Sequence, residues 1–426
     1  MSPRRWVLAL TAPALVAGWS GSVCAQDSTW HIIGQVRPRM ELRDGYRTLP
    51  DKYTDAVLFF SQRSRLGARY SSNPRLALTV ILQDVRTWGD ETSTSADYSA
   101  DNFDVYRAFA DLRPDSQWTI RIGRQGLGYD EERILGDADW PQQGRTHDAI
   151  RVMWDNGRLA AHAAWAHNET DDPIFWTPYS HTANYQDLAL LWLQARRPNE
   201  AISFLCLYDD HDLGGAESLP FAGLPTDRWT VGARLEGRRD RIHSRAEGYY
   251  QFGHRVGFMQ HAVVKSGMFA LELDRDFGRT NAMLWFDYLT GDDKPYDNEF
   301  KAFDPPYATT HKFYGWADYF VNVPADAYGR GLEDLALKLK TPIAGESVLD
   351  AQFHYFWLAK PYETFDSDKK SKLGFEMDLM ATIPLLKFAG LQCGYSLLLP
   401  SEFTKDITGG NSSGHWLWMM LDVNVK

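Results

Sequence analysis

Apolar and polar positions alternate along most of the chain in segments of about ten residues, the period of a strand with two unlike faces. Leu58, Phe60, Leu66, Ala68 and Tyr70 share one face of such a segment, and Arg63, Arg65 and Arg69 the other. From Ile242 to Phe252, His243, Arg245, Glu247 and Gln251 oppose Ile242, Ala246, Tyr250 and Phe252. Leu335, Leu337 and Leu339 oppose Asp334, Lys338 and Lys340, and Phe375, Met377 and Leu379 oppose Glu376 and Asp378. A charge held in hydrocarbon costs about 2–4 kcal/mol at the bilayer midplane. In a membrane barrel the apolar faces therefore meet lipid and the charged faces meet a wet interior, whereas a soluble sandwich reverses the assignment.

The connections separate these cases. Short turns rich in Asn, Asp, Gly and Pro fall at Ser71–Pro74, Arg113–Ser116, Asp155–Gly157, Arg197–Glu200, Arg238–Asp240, Asp276–Gly278, Ile343–Glu346 and Pro384–Lys387. Longer polar stretches lie between them, near residues 44–54, 89–102, 126–146, 168–184, 210–227, 291–330, 359–370 and 400–413, with a short outer connection at 254–258. Short periplasmic turns and long extracellular loops are the habit of outer-membrane barrels, and about 18 strands can be traced, an even number that leaves both chain ends on the periplasmic side. The fold expected is all-β: one transmembrane antiparallel β-barrel over residues 26–426, located in the bacterial outer membrane.

Residues 1–25 read as a secretory signal, with Arg4 and Arg5 before the apolar run Trp6–Ala17 and small residues leading to cleavage after Ala25. Val23 before Cys24 disfavours lipid attachment, and removal of the signal leaves Cys206 and Cys393, too few for a disulfide scaffold or a four-ligand zinc site. Aromatic residues make up 14% of the chain, including 16 Trp, and mean hydropathy is −0.41. With no apolar run of about 18 residues after the signal, helical spans are excluded. A formal charge of −11 argues against a nucleic-acid partner.

One stretch is more specific: Arg121-Ile122-Gly123-Arg124-Gln125, Arg133-Ile134-Leu135-Gly136, Asp139-Trp140, Gly144-Arg145 and His147-Asp148. Together with Gln83–Gly89, His311–Gly315 plus Asp318, Gly374–Asp378 and Gly394-Tyr395-Ser396, it resembles the alginate export family of outer-membrane barrels. The resemblance implies an 18-stranded barrel whose lumen carries an arginine-rich constriction for polyanionic alginate. The chain departs from barrel habit in ending on Val425-Lys426 in place of a terminal aromatic residue, so recognition by the assembly machinery is expected to be weaker or to rely on Trp416 and Trp418.

Alternation assigns Arg37, Arg39, Arg63, Arg65, Arg107, Arg121, Arg151, Arg234, Arg245, Lys338 and Lys340 to the interior. Guanidinium groups stay charged and present paired donors to carboxylates, so an arginine ladder can hand along a uronic acid chain or select small anions. The pore-lining or substrate-binding candidates are Arg63, Arg65, Arg86, Arg107, Arg121, Arg124, Arg133, Arg145, Arg151 and Lys338, with Arg124, Arg133, Arg145 and Arg151 in or beside the family block. The plainer reading is that interior arginines brace the wall against Glu41, Asp111, Glu236, Glu247, Asp350, Glu376 and Asp378. The loop at 126–146 is long enough to enter the lumen or to stay outside. Tyr129, Trp140 and Tyr249 could stack on sugar rings, although most tryptophans are expected in the belts at the membrane edges.

Acidic runs at Asp90-Glu91, Asp171-Asp172, Asp209–Asp212 and Asp292-Asp293 fall in outer loops. They carry no calcium-loop pattern, and neither metal nor cofactor is assigned. The rival functions are an outer-membrane hydrolase, for which no Gly-x-Ser-x-Gly or His-Glu-x-x-His motif is present, and a soluble glycan-binding protein. The partners expected are an anionic polysaccharide or small anionic solutes, together with outer-membrane lipid. Whether a periplasmic secretion partner feeds the pore stays open.

Overall fold

The computed structural model describes residues 28–90, 103–168, 171–172, 177–178, 185–211, 226–256, 261–294, 297–363 and 368–425. The expected signal at 1–25 lies outside the described residues, as do Glu91 and Asp212 of the acidic runs. Eighteen long strands form the wall. The first nine are β1 (Thr29–Asp44), β2 (Val57–Asn73), β3 (Leu76–Thr87), β4 (Phe103–Leu112), β5 (Trp118–Gln125), β6 (His147–Asp155), β7 (Leu159–His167), β8 (Tyr185–Arg197) and β9 (Glu200–His211). The second nine are β10 (Asp227–Arg239), β11 (Ile242–Val256), β12 (His261–Phe277), β13 (Thr280–Leu289), β14 (Leu332–Pro342), β15 (Val348–Glu363), β16 (Lys369–Leu386), β17 (Ala389–Pro400) and β18 (Gly414–Val425). Consecutive strands pair antiparallel, and β1 pairs with β18 from Gly34↔Val425 to Asp44↔His415, so the sheet closes on itself and leaves no free edge.

Each expected short turn is found within a few residues of its place, at 74–75, 113–117, 156–158, 198–199, 240–241, 278–279, 343–347 and 387–388. Thr29 and Val425 lie at the same end, which marks it as periplasmic. The outer connection between β11 and β12 is short as expected, with β11 ending at Val256 and β12 starting at His261. The one expected at 359–370 is shorter than the sequence suggests, because β15 runs on to Glu363 and β16 begins at Lys369. Among the described residues no helix is long and apolar enough to cross a membrane.

The faces follow the alternation. Leu58, Leu66, Leu235, Leu271, Leu335 and Leu337 are exposed on the outside, while Arg63, Glu247, Asp334, Glu376 and Asp378 are buried inside. That arrangement excludes the soluble sandwich, which would turn its leucines inward.

The expectation of a uniformly wet interior needs correction. On β8 and β9 the inward residues Leu188, Leu190, Leu205 and Leu207 are as apolar as the outward Leu191, Leu193, Ile202 and Phe204. The inward set packs against Leu127, Ile134 and Leu135 of loop 126–146 and against Phe303, Phe313, Tyr314 and Phe320 of loop 290–331. Both loops fold into the lumen, so this wall is covered on both sides and reads as a near-continuous apolar run. The belt reading holds for Trp30, Trp118, Trp165 and Trp229, which are exposed outward, but Trp140, Trp192, Trp285, Trp316, Trp416 and Trp418 lie inside.

Candidate functional site

The lumen wall places arginines opposite one another. Across β1 and β2, Arg37 faces Arg63 and Gln35 faces Arg65; across β5 and β6, Arg121 faces Arg151. Like charges directly opposite on one face repel, so each pair requires an anion. For the first, the anion is Asp139 of loop 126–146, whose carboxylate meets Arg37 at 3.3 Å, Arg63 at 3.0 Å and Arg65 at 3.3 Å. Although packing around it partly desolvates the exposed Asp139 carboxyl and would raise it, Arg63 and Arg37, with Arg65, hold it below the ordinary carboxylate range. Arg63 is only 1% exposed and also donates to Gln35, while Arg65 stacks its guanidinium on Tyr106 at 3.4 Å and donates to Gln83.

At the opposite side of the lumen the signs invert. Arg133, 1% exposed, meets Glu247 at 2.5 Å, Asp287 at 2.7 Å and Glu272 at 3.3 Å, residues of β11, β13 and β12. Its guanidinium also lies 4.2 Å from the Phe313 ring and 4.9 Å from that of Trp285. Beside Arg133, Glu131 takes Arg234 of β10, Arg245 of β11 and Lys312 at 3.0–3.1 Å, and nearer the Asp139 end Asp137 takes Arg107 at 2.9 Å. Burial pushes the Asp137 carboxyl above its ordinary value despite Arg107. The loop is thus a strap across the barrel that meets wall charges of both signs with opposite charges of its own. Asp130, Glu132 and Ala138 hold positive φ values of 52°, 66° and 46° along it, each a backbone cost of about 1–2 kcal/mol that the ion pairs offset.

Loop 290–331 locks the strap in place. Leu135 bridges to Tyr307, Gly136 N–H donates to the Tyr307 carbonyl at 2.8 Å, and Trp140 stacks on His311 at 4.2 Å. Arg145 donates to the carbonyls of Pro306, Tyr307 and Ala308. The loop is held in turn by β16, where Glu376 accepts from Ala317 N–H at 2.9 Å and Asp378 from Trp316 N–H at 3.3 Å.

Of the ten sequence candidates, Arg63, Arg65, Arg107, Arg121, Arg151 and Lys338 point into the lumen from the wall, and Arg133 and Arg145 enter it on the strap. Two differ from expectation. Arg86 shares the parity of Leu78, Val80 and Leu82, pairs with Asp84, and turns away from the lumen. Arg124 shares the parity of the exposed Ile122 and binds Asp148, which alternates with the exposed Ile150, so it sits at the outer rim. Arg121 takes Asp111 at 2.6 Å, an acid shared with Arg69 and Arg113. Among the described residues no carboxylate reaches ion-pair distance of Arg151, nor of Lys338, whose ammonium lies 3.6 Å from the centre of the Trp285 ring. Sequence reasoning missed Asp139, Glu272 and Asp287. Asp139 stands in the family block, and the other two sit at inward positions of their strands. No cluster of His, Cys, Asp and Glu fit to hold a metal occurs among the described residues.

Solved structures of similar architecture are outer-membrane porins. Pseudomonas aeruginosa OccK2 (OpdF) superposes with a TM-score of 0.61 at 10% identity, covering 93% of this chain and 97% of its own. A BenF-like porin from Pseudomonas fluorescens Pf-5 gives 0.61 at 10%, covering 93% and 98%, and Acinetobacter baumannii OccAB4 gives 0.58 at 11%, covering 95% and 99%. No curated protein sequence matches significantly. At such identity these neighbours speak for the fold. The sequence profile described as alginate export matches residues 31–417, nearly the whole barrel, and the chain accordingly belongs to the alginate export family, as an outer-membrane channel.

Proposed function

We propose that the channel passes anionic solutes along the basic wall of β1 to β6, and that its solute is an anionic polysaccharide such as alginate. The observation that carries this reading is the convergence of Arg37, Arg63 and Arg65 on the single carboxylate of Asp139. A uronate bears the same group, and the wall's opposed arginines need an anion whether the strap or a solute provides it. Arg151, without a carboxylate partner among the described residues, offers a further position on that wall. A second reading, passage of small anions, is favoured by the two loops that occupy the lumen and leave a polymer little width.

Planar-bilayer recording decides between them. Polymer transport predicts anion preference and block by uronic acid oligomers that deepens with oligomer length; a small-anion pore predicts the preference without length dependence. Absence of both anion preference and block would refute the basic-wall reading.

A further inference from the structure

On the outside of the barrel, near the periplasmic end of β8 to β13, the lipid-facing surface is not smooth. Ile202 and Leu235 on one side and Leu271, Leu273 and Leu284 on the other flank a floor of small residues, among them Ala195, Gly237 and Ala246, and the groove so formed encloses about 860 Å³. A Cβ added at Gly237 would meet nothing closer than 3.7 Å, so the space is open to a side chain. Pockets of roughly 300–1,000 Å³ suit drug-sized, mostly apolar ligands.

At its periplasmic end the groove is lined by Arg197 and Glu200 and flanked by two further arginines. Arg197, Arg239 and Arg275 project outward from the ends of β8, β10 and β12, in register with outward neighbours such as Ile242. Among the described residues neither Arg239 nor Arg275 has a carboxylate at ion-pair distance, and Arg197, 82% exposed, has only Glu200 at 3.7 Å. Arg275 lies over the ring of Phe277, 5.3 Å from its centre, at the level where the exposed apolar belt ends. This positive edge belongs to a chain whose formal charge is −11. Apolar groove and arginine edge occur in the order in which a phospholipid presents its acyl chain and its phosphate at the periplasmic leaflet. Arginine is suited to phosphate by its paired donors.

We propose that this groove is a binding site for one anionic glycerophospholipid of the periplasmic leaflet, with an acyl chain over Gly237 and Ala246 and the phosphate among Arg197, Arg239 and Arg275. The proposal concerns the lipid face and is independent of what passes through the lumen.

Native mass spectrometry of the full chain, released from mild detergent after exposure to phosphatidylglycerol or phosphatidylethanolamine, tests it. The expected result is one retained phosphatidylglycerol per chain, at least tenfold weaker retention in Gly237→Leu, and loss of preference over phosphatidylethanolamine in Arg239→Glu/Arg275→Glu. The arginine variant changes exposed residues only and keeps the test open should the groove variant fail to fold. Equal retention by all three proteins would reduce the groove to ordinary annular lipid and overturn the proposal. So would a dimer of the chain that Gly237→Leu dissociates, since the groove would then be filled by a second copy.

Discussion

Replacing Arg133 by Met keeps length and packing while removing the charge on which one end of the strap is fixed. The side chains concerned are buried, at 1% exposure for Arg133 and 4%, 3% and 0% for Glu247, Glu272 and Asp287. Removing one partner from a buried ion cluster costs about 3–5 kcal/mol, because the remaining charges are left uncompensated. At about 1.4 kcal/mol per factor of ten, the docked strap should become disfavoured by between a hundredfold and a few thousandfold. The Asp139 end contributes less. Its carboxylate is 61% exposed, and solvent-screened pairs contribute about 0.2–1 kcal/mol each. Arg133→Met should therefore loosen this end of the strap even with the Asp139 end intact. Single-channel recording should show larger and noisier conductance, and limited proteolysis should cut between residues 126 and 146, while the barrel keeps its heat-modifiable migration. Pairing the change with Asp287→Asn should recover part of the effect by removing an orphaned acid. If conductance and strap protection match the parent protein, the strap is not held by this cluster and the reasoning fails.

Acidification should loosen the other end. Asp139 is held below the ordinary carboxylate range, so its contribution is complete above about pH 4 and is lost only as pH falls through the depressed value; a rise in conductance below about pH 4 that Asp139→Asn no longer shows is expected. Gly315→Ala should detach loop 290–331, because Gly315 has φ 80° and an added Cβ would lie 2.4 Å from Glu376 Oε1; a loss of about 1–3 kcal/mol in loop docking would be read as faster proteolysis within 290–331. Arg151→Glu should reduce anion selectivity in bilayers, whereas Arg86→Glu and Arg124→Glu, on the outer side, should leave it unchanged; equal effects would mean that the inward and outward assignments do not govern conduction.

The wall was legible in the sequence because a membrane barrel imposes one rule at every strand position, and segments such as Leu58–Tyr70 obey it without interruption. The turns were equally legible, since Asn156-Gly157 or Pro198-Asn199 can do little else. Arg86 was also decidable: Gln83 points inward, and a residue three places on takes the other face. Arg124 was decidable by the same count, since it shares the parity of the outward Ile122. The lumen's contents were the least legible. Loop 290–331 reads as polar by composition, and only the density of Phe303, Phe313, Tyr314, Trp316 and Phe320 hinted that it would be buried. The role of Asp139 depends on two strands and a loop about 75–100 residues apart meeting in space, and no local period encodes that.

The strap and the wall differ in how errors would propagate. Asp139 meets three guanidinium groups and Arg133 three carboxylates, so a lesion at either strap residue disables a whole contact set, while a lesion at one wall residue leaves two of three in place. A saturation scan of the chain should accordingly find redundancy spread around the barrel and fragility concentrated in one short loop. Variants with altered permeability would then be sought most economically in the strap, with the barrel left as the tolerant scaffold.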